Sequence, residues 1–171
     1  MDIPGYDIRF SEIDDAAYLS SWLSYPNACD DFPFTFEEKD EMAKNWLGFS
    51  KYKASLTGTL EGTPCAIGTL FLMPYKKVSH HCSFYLMVDP EHRRKGIGTS
   101  MVKNLLHLAK SRFHLESMHA ELFIPSPLEG ILERLNFEVF ARQDNFVKVY
   151  REQSQIEAYS RPRLLLEHFF T

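Results

Sequence analysis

The segment from Tyr85 to Ser100 constrains the fold of this chain more than any other part of the sequence. It reads YLMVDPEHRRKGIGTS, an apolar strand followed by a cationic loop and two closely spaced glycines. Pro90 ends the strand because it cannot donate to a ladder of hydrogen bonds. From Gly96 to Arg112, apolar residues recur at helical spacing. A strand that leads into an amphipathic helix predicts a mixed α/β fold, in which the helix covers a sheet.

The loop in this segment has the composition of a phosphate site. Arg93, Arg94 and Lys95 concentrate positive charge directly before Gly96 and Gly98. The first turn of a helix has backbone N–H groups without helical acceptors, and its dipole is positive at that end. Glycine has no Cβ to hold a phosphate away from those groups. A loop that only capped its own helix would not explain two glycines, which each cost about 1 kcal/mol of helix stability. We therefore predict a pyrophosphate cradle.

The spacing of the loop residues narrows the choice of ligand. A P-loop requires GxxxxGK[ST], which the sequence lacks, and the dinucleotide motif GxGxxG fails because Met101 replaces its third glycine. The string that matches is R-x-x-G-x-G, formed by Arg93, Gly96 and Gly98 after a strand. This arrangement resembles the signature of the GNAT acyltransferase superfamily, which binds acyl-CoA. The resemblance covers roughly residues 6–150.

The order of predicted elements also fits that family. Periodicity and turn residues predict strand, two helices, three strands, helix, strand, short helix and a hairpin of residues 137–141 and 146–150. The predicted fold class is therefore α/β, with a mixed sheet of the α+β type. The resemblance implies that this sheet is mostly antiparallel and contains one splayed parallel pair. We expect one domain over residues 1–171, with residues 151–171 as a helical extension broken at Pro162. Its apolar run 164–170 is expected to pack on the domain or on a second subunit of a homodimer.

The resemblance implies acetyl-CoA as the cosubstrate, with coenzyme A as a product. It places the thioester at the end of the strand before the loop, where backbone N–H groups would stabilise an oxyanion. The strand would splay there from its parallel neighbour, residues 118–124, and admit the pantetheine arm. The residues implied in cofactor binding are Leu86, Met87, Val88, Arg93, Arg94, Lys95, Gly96, Ile97, Gly98, Thr99 and Ser100.

The candidate catalytic base is Glu121, in the middle of the neighbouring strand, where many family members have a glutamate. An amine must lose its proton before it attacks a thioester, so a base or a chain of waters is useful. A solvated or ion-paired glutamate on a strand is the alternative interpretation of Glu121. His80, His81 and Tyr85 are further candidates for the base.

One position departs from the family pattern. Many relatives have a tyrosine in the short helix, thought to protonate the leaving thiolate, and Leu132 stands at that position here. The thiol of coenzyme A should titrate near an ordinary thiol, about 8.5, so it can leave largely unaided. Alternatively, Tyr150 or Ser126 takes the part of the acid. Asn136 replaces a family glycine, which is tolerated because Asn adopts the left-handed conformation.

Composition excludes several other classes of protein. The formal net charge is −4, from 19 basic and 23 acidic residues, whereas nucleic-acid binders have a basic excess. Three widely spaced cysteines predict neither a disulfide framework nor a metal site, and we expect reduced thiols in the cytoplasm. No apolar run approaches the ~20 residues that span a bilayer, and the first residues lack a signal-peptide pattern.

We therefore expect an N-acetyltransferase that acts on a primary amine of a small molecule or peptide. The resemblance implies that the acceptor contacts the loop of residues 25–35 and the closing hairpin at residues 142–146. An acidic and aromatic patch lies in or beside that loop: Asp30, Asp31, Phe32, Phe34 and Phe36. The aromatic residues of that loop fit a buried core equally well. Two other functions stay open: an inactive acyl-CoA sensor of the same fold, and a nucleotide- or nucleic-acid-binding module.

Overall fold

The computed structural model describes residues 2–151 and 156–171, which form one seven-stranded sheet and four α-helices. The strands are β1 Tyr6–Phe10, β2 Ser55–Leu60, β3 Thr63–Leu72, β4 His81–Val88, β5 Ser117–Phe123, β6 Glu138–Tyr150 and β7 Glu157–Phe169. The helices are α1 Ala16–Leu23, α2 Lys39–Gly48, α3 Ile97–Ser111 and α4 Glu129–Arg134. This chain order agrees with the predicted order of elements up to α4.

The spatial order of the strands is β1-β2-β3-β4-β5-β7-β6, and every neighbouring pair is antiparallel except β4 and β5. Those two strands pair in parallel only over residues 81–83 and 117–119. Beyond that point β4 continues to Val88 and β5 to Phe123 without pairing with each other, so the sheet opens into a cleft between them. The predicted mixed sheet with a splayed parallel pair is confirmed.

The two faces of the sheet are covered by different helices. On one face, α3 buries the apolar stripe predicted from its sequence, including Ile97, Met101 and Leu105. On the other face, α1 and α2 enclose a second core around Trp46, which is fully buried. The second helix begins as predicted, because Thr35 and Glu38 form a reciprocal capping box before it. The cleft between β4 and β5 therefore opens between two helical layers.

The prediction of a helical extension over residues 151–171 was wrong. The described part of this segment forms β7, which lies between β5 and β6 and pairs with both, while residues 152–155 lie outside the described residues. Its leucines favour a helix in isolation, but Leu164 and Leu166 are buried on alternate positions of the strand. Pairing along two neighbouring strands outweighs that intrinsic preference.

The predicted hairpin of residues 137–141 and 146–150 was also wrong. Both segments belong to the single strand β6, and its pairing with β7 shifts register between Gln143 and Val147. Asn145 has a left-handed φ of 54° in that irregularity. The turn-forming residues therefore make a bulge within a strand rather than a reversal of the chain.

Candidate active site

The loop between β4 and α3 positions the start of the helix through its own backbone. The side chain of Asp89 accepts a hydrogen bond from the N–H of Glu91 at 3.0 Å, which fixes the short turn after the strand. Arg94 and Gly96 then adopt left-handed φ angles of 63° and 87°. The Ser100 N–H donates to the Gly96 carbonyl at 3.1 Å, which is the first hydrogen bond of the helix. The three preceding N–H groups have no acceptor within the helix, so they are available to an anion.

Gly98 has a second role in the same helix turn. A Cβ atom at this position would lie 3.2 Å from Cδ1 of Ile131 on α4 and 3.9 Å from Cγ2 of Val88. That first distance is tighter than an ordinary van der Waals contact. The glycine therefore allows α4 to approach α3 closely, and it keeps the mouth of the cleft between them narrow.

The open part of the sheet forms a cavity of about 600 Å³. Ten of the twelve predicted site residues line it: Leu86, Met87, Val88, Arg93, Arg94, Gly96, Ile97, Gly98, Thr99 and Glu121. The predicted cofactor-binding residues and the candidate base lie on opposite walls. The cationic loop precedes α3 on one wall, and Glu121 belongs to β5 on the other. The cavity therefore joins the loop that suits a pyrophosphate to the strand with the candidate base.

Lys95 and Ser100 do not line this cavity. The Lys95 Nζ atom lies 3.2 Å from Nδ1 of His92, which itself lines the cavity. The Ser100 hydroxyl accepts a hydrogen bond from the Tyr6 hydroxyl at 3.0 Å, which ties α3 to β1. Sequence proximity placed both residues in the predicted site, but Lys95 lies in the loop before α3 and Ser100 faces β1, and neither lines the cavity.

The backbone of β4 presents only alternate N–H groups to the cleft. The Asp89 N–H donates to the Cys65 carbonyl of β3 at 2.8 Å. Because successive residues of a strand direct their N–H groups to opposite edges, the Met87 N–H faces β3 as well. The N–H groups of Leu86 and Val88 face the unpaired edge toward β5. Of the three predicted oxyanion donors, these two have the correct direction.

Glu121 is held by two side chains. Its Oε1 accepts a hydrogen bond from the Tyr85 hydroxyl at 3.3 Å, and its Oε2 accepts one from the Arg163 guanidinium at 2.9 Å. The ion-paired alternative raised from the sequence is thus realised, although the same carboxylate also lines the cavity. Arg163 in turn stacks on Phe146, with 3.8 Å between the guanidinium carbon and the ring centroid.

Tyr85 is fixed in a box of aromatic rings. Trp46 stacks on its ring at 5.6 Å between centroids and an interplanar angle of 9°, while Phe32 and Phe71 contact it edge-on. Burial raises the pKa of the Tyr85 phenol well above its usual range, and the negative charge of Glu121 raises it further. The hydroxyl therefore stays protonated at neutral pH and donates to Glu121.

The other candidates for the base lie outside the cavity. His81 contacts His80 and His119 edge-on, with 4.8 Å between ring centroids in each pair, at the end of β4 where the parallel strands are still paired. Burial lowers the pKa of His119, and the neighbouring His81 lowers it further. Neither His80 nor His81 lines the cavity, so the geometry does not favour either as the base.

Arg161 is a functional residue that the sequence did not indicate, because it lies in the segment predicted as a helix. Its guanidinium is only 5% exposed and donates to the carbonyls of residues 30, 123, 124 and 125. It also donates to the carboxylate of Asp31 at 3.2 Å. Burial raises the pKa of Asp31, and the Arg161 guanidinium opposes that rise. Arg161 therefore fastens the loop between α1 and α2 to the end of β5.

The short helix α4 completes the cavity wall. Leu132 is fully buried in the core, so the family position for a tyrosine has neither a hydroxyl nor access to the cleft. Arg134 of the same helix lines the cavity and adds a cation that sequence reasoning missed. Ser126 also lines it, and its hydroxyl accepts a hydrogen bond from the Leu128 N–H at 3.2 Å, just before the helix. Asn136 has the predicted left-handed φ, 65°.

The cysteines and acidic residues of the described chain form no other site. Cys29, Cys65 and Cys82 form no disulfide bond with one another, and burial raises the pKa of Cys65 to about 11 and that of Cys82 to about 12. Within residues 2–151 and 156–171, His, Cys, Asp and Glu side chains form no group of three that could hold a metal ion. Over the same residues, no helix is both long and apolar enough to cross a membrane.

Comparisons with known proteins agree with this geometry. The fold is similar to yncA of Salmonella typhimurium, solved with its cofactor acetyl-CoA, at a TM-score of 0.78 and 14% identity over 98% of this chain and 95% of that one. It is similar to a ribosomal-protein-alanine N-acetyltransferase from Brucella melitensis, with a TM-score of 0.77 and 16% identity over 96% and 99% of the two chains. The ribosomal-protein-S18-alanine N-acetyltransferase from Escherichia coli has a TM-score of 0.73 and 14% identity over 97% and 94%.

No protein with a curated description matches this sequence. The model of the acetyltransferase (GNAT) family, whose cosubstrate is acetyl-CoA, matches residues 17–126. That range contains the cationic loop, the splayed strands and Glu121. The chain therefore belongs to the acetyltransferase (GNAT) family.

Proposed function

We propose that this chain is an N-acetyltransferase, which transfers the acetyl group of acetyl-CoA to a primary amine of a small molecule or peptide. The observation that carries the proposal is the single cavity between β4 and β5. One wall of this cavity has the cationic loop and the first N–H groups of α3, which have no acceptor within the helix. The other wall has the carboxylate of Glu121, which accepts two hydrogen bonds. These are the two ends that an acyl transfer from coenzyme A to an amine requires.

The described residues fit coenzyme A by charge and shape. The first N–H groups of α3 and the side chains of Arg93 and Arg94 would hold the pyrophosphate. Arg134 lies across the cleft and would add a further cation. The unpaired edges of β4 and β5 would receive the pantetheine arm, because its amides can use backbone groups that no strand occupies.

The same cavity contains what the chemical step needs from the protein. The N–H groups of Leu86 and Val88 would stabilise the oxyanion that forms when an amine attacks the thioester. Glu121 would accept the proton that the attacking nitrogen loses. Its pair with Arg163 keeps the carboxylate in place at the wall of the cavity.

The acceptor would reach the acetyl group from the side of the loop between α1 and α2, where Asp31 and Phe32 line the cavity. Asp31 is paired with Arg161, and Phe32 is buried in the second core, so the acidic and aromatic patch of this loop serves largely as structure. The relatives named for alanine N-acetylation support an amine acceptor. Homodimerisation and a cytoplasmic location stay predictions from the sequence.

The proposal is tested by thermal melting of the protein with and without acetyl-CoA, followed by a screen of amines for thiol release. At a hundred times its dissociation constant, the ligand should add about 2.7 kcal/mol to the free energy of unfolding. Gly96→Glu should remove this gain, because it places a side chain with negative charge at a left-handed position, φ 87°, in the cradle.

Gly62→Glu is the matched control for that variant. Gly62 has a similar φ of 81° and lies in the open turn between β2 and β3, with no atom within 4 Å of an added Cβ. This variant has the same backbone strain and the same added charge, and it should keep the gain from acetyl-CoA. A wild-type protein that shows no gain at millimolar acetyl-CoA contradicts the proposal. A gain without thiol release from any amine supports the sensor instead.

A further inference from the structure

A second proton-transfer residue follows from the surroundings of Glu121. If the chain is the N-acetyltransferase proposed above, the thiolate that leaves must still gain a proton. The family position for that acid holds Leu132, which has no hydroxyl and is fully buried. Although the thiolate can leave largely unaided, a proton donor would speed its departure, and any such donor on this chain would lie elsewhere on the wall of the same cavity.

Three hydroxyl groups line that wall among the described residues: those of Tyr85, Thr99 and Ser126. Thr99 lies in the first turn of α3, at the pyrophosphate end of the cavity. The Ser126 hydroxyl accepts the N–H of Leu128, just before α4, at 3.2 Å. The Tyr85 hydroxyl alone donates to a carboxylate, Oε1 of Glu121, at 3.3 Å. It thus has a partner that can return a proton to it.

We propose that Tyr85 is the proton donor to the leaving thiolate and that Glu121 returns the proton to Tyr85. The free amine attacks the thioester carbonyl carbon, a C–N bond forms and the carbonyl π electrons move to oxygen. Glu121 takes the extra proton from nitrogen. The oxyanion then collapses, the C–S bond breaks with its electron pair on sulfur, and Tyr85 protonates the sulfur. The proton on Glu121 passes to the Tyr85 oxygen, so both side chains return to their starting states.

The electrostatics of the pair favour this order of events. In the resting protein, the carboxylate of Glu121 helps to raise the pKa of the Tyr85 phenol, so the proton stays on Tyr85. Once Glu121 has gained the proton of the amine, that negative charge is absent. The protonated carboxyl group can then donate to the phenol oxygen as it loses its proton, which makes the phenol a stronger acid at the moment of need.

The aromatic box gives this role a fixed geometry. Trp46 stacks parallel to the Tyr85 ring, and Phe32 and Phe71 contact it edge-on. With its ring held on three sides, Tyr85 can move little more than its hydroxyl proton. Arg163 holds the other oxygen of Glu121 at 2.9 Å, so both partners of the transfer keep their positions.

The test compares two acetyl donors with Tyr85→Phe, which removes only the hydroxyl. We expect kcat with acetyl-CoA to fall about 100-fold, in the range for loss of a general acid. With acetyl-selenocoenzyme A, whose selenolate leaves without a proton, the same variant should lose less than about threefold, because the missing step is no longer needed. Tyr75→Phe, at an exposed tyrosine that does not line the cavity, should leave both rates near wild type.

Several outcomes would decide against the relay. An equal loss of kcat with both donors would show that Tyr85 only positions Glu121. If Tyr85→Phe lacks a cooperative melt, the wild type supplies the test: the solvent isotope effect on kcat should be larger with acetyl-CoA than with acetyl-selenocoenzyme A, and equal effects would contradict the relay. If Tyr85 and Glu121 act as a unit, the double variant Tyr85→Phe/Glu121→Gln should have a kcat at most about twofold lower than that of the slower single variant. Independent losses of kcat that multiply in the double variant would contradict the relay. If the wild type releases no thiol with any amine, the proposed function itself is contradicted. That result is obtained before any variant is made, so it is distinguishable from a failure of the relay.

Discussion

The two walls of the cavity are built in different ways. The coenzyme A wall is one continuous segment, residues 86–99, whose groups come largely from the backbone of a strand end and a helix start. The acceptor wall combines the loop between α1 and α2, the middle of β5 and the middle of β7, joined by the side chains of Arg161 and Arg163. The first wall requires only local conformation, whereas the second requires that ion pairs and hydrogen bonds form between segments about 130 positions apart.

This difference predicts different consequences of substitution. A change among the exposed side chains of the coenzyme A loop should alter ligand affinity and leave stability almost unchanged, because these side chains lie outside the core. A change in the acceptor wall should alter stability first, because its charged groups are partly or fully buried and depend on one another.

The largest effect is expected from Arg161→Ala. This variant leaves the Asp31 carboxylate and four backbone carbonyls without their shared donor at the end of β5. Removal of one partner of a buried ion pair typically costs about 3–5 kcal/mol of folding free energy. Chemical denaturation measures this loss. Arg142→Ala, in the exposed pair with Asp144 on β6, is the control and should cost less than about 1 kcal/mol. Equal costs would show that the acceptor wall is not held by Arg161.

An intermediate effect is expected from Arg93→Ala in the coenzyme A wall. The loss of one charge-assisted hydrogen bond to a phosphate should weaken acetyl-CoA binding about 10–100-fold, with little change in melting temperature. Isothermal titration measures the affinity. Lys95→Ala is the control within the same three-residue run, and because Lys95 does not line the cavity it should weaken binding less than about threefold. A larger loss for Lys95 than for Arg93 would contradict the geometry of the loop.

The smallest effect is a change in the pH dependence of stability from His119, on the acceptor side of the sheet. Its pKa is lowered in the folded protein, first by burial and then by His81. As pH falls through the unfolded value, about 6.5, the unfolded chain binds protons more readily at this site, so stability decreases until the folded pKa is passed. His119→Gln should therefore lose less melting temperature than the wild type between about pH 7.5 and pH 5.5. His107→Gln, on the exposed side of α3, should lose as much melting temperature over this pH range as the wild type. If His119→Gln loses as much as His107→Gln, His119 is not the cause of the pH dependence.

The sequence by itself determined the segment-level features of the protein. The strand, cationic loop and amphipathic helix of residues 85–111 were predictable because each depends on neighbours within a few positions. The order of elements up to α4 and the left-handed Asn136 have the same local origin. Nine of the eleven predicted cofactor-binding residues line the cavity for this reason, and the two exceptions are Lys95 and Ser100.

Tertiary structure alone decided the last strand and the acceptor wall. Residues 157–169 have leucines that suit a helix, but they form a strand because β5 and β6 offer ladder partners on both edges. That strand brings Arg161 and Arg163 to Asp31 and Glu121, and the fold of α2 brings Trp46 against Tyr85. No local pattern indicates such pairs, because a side chain's partner depends on which distant segment the sheet places beside it.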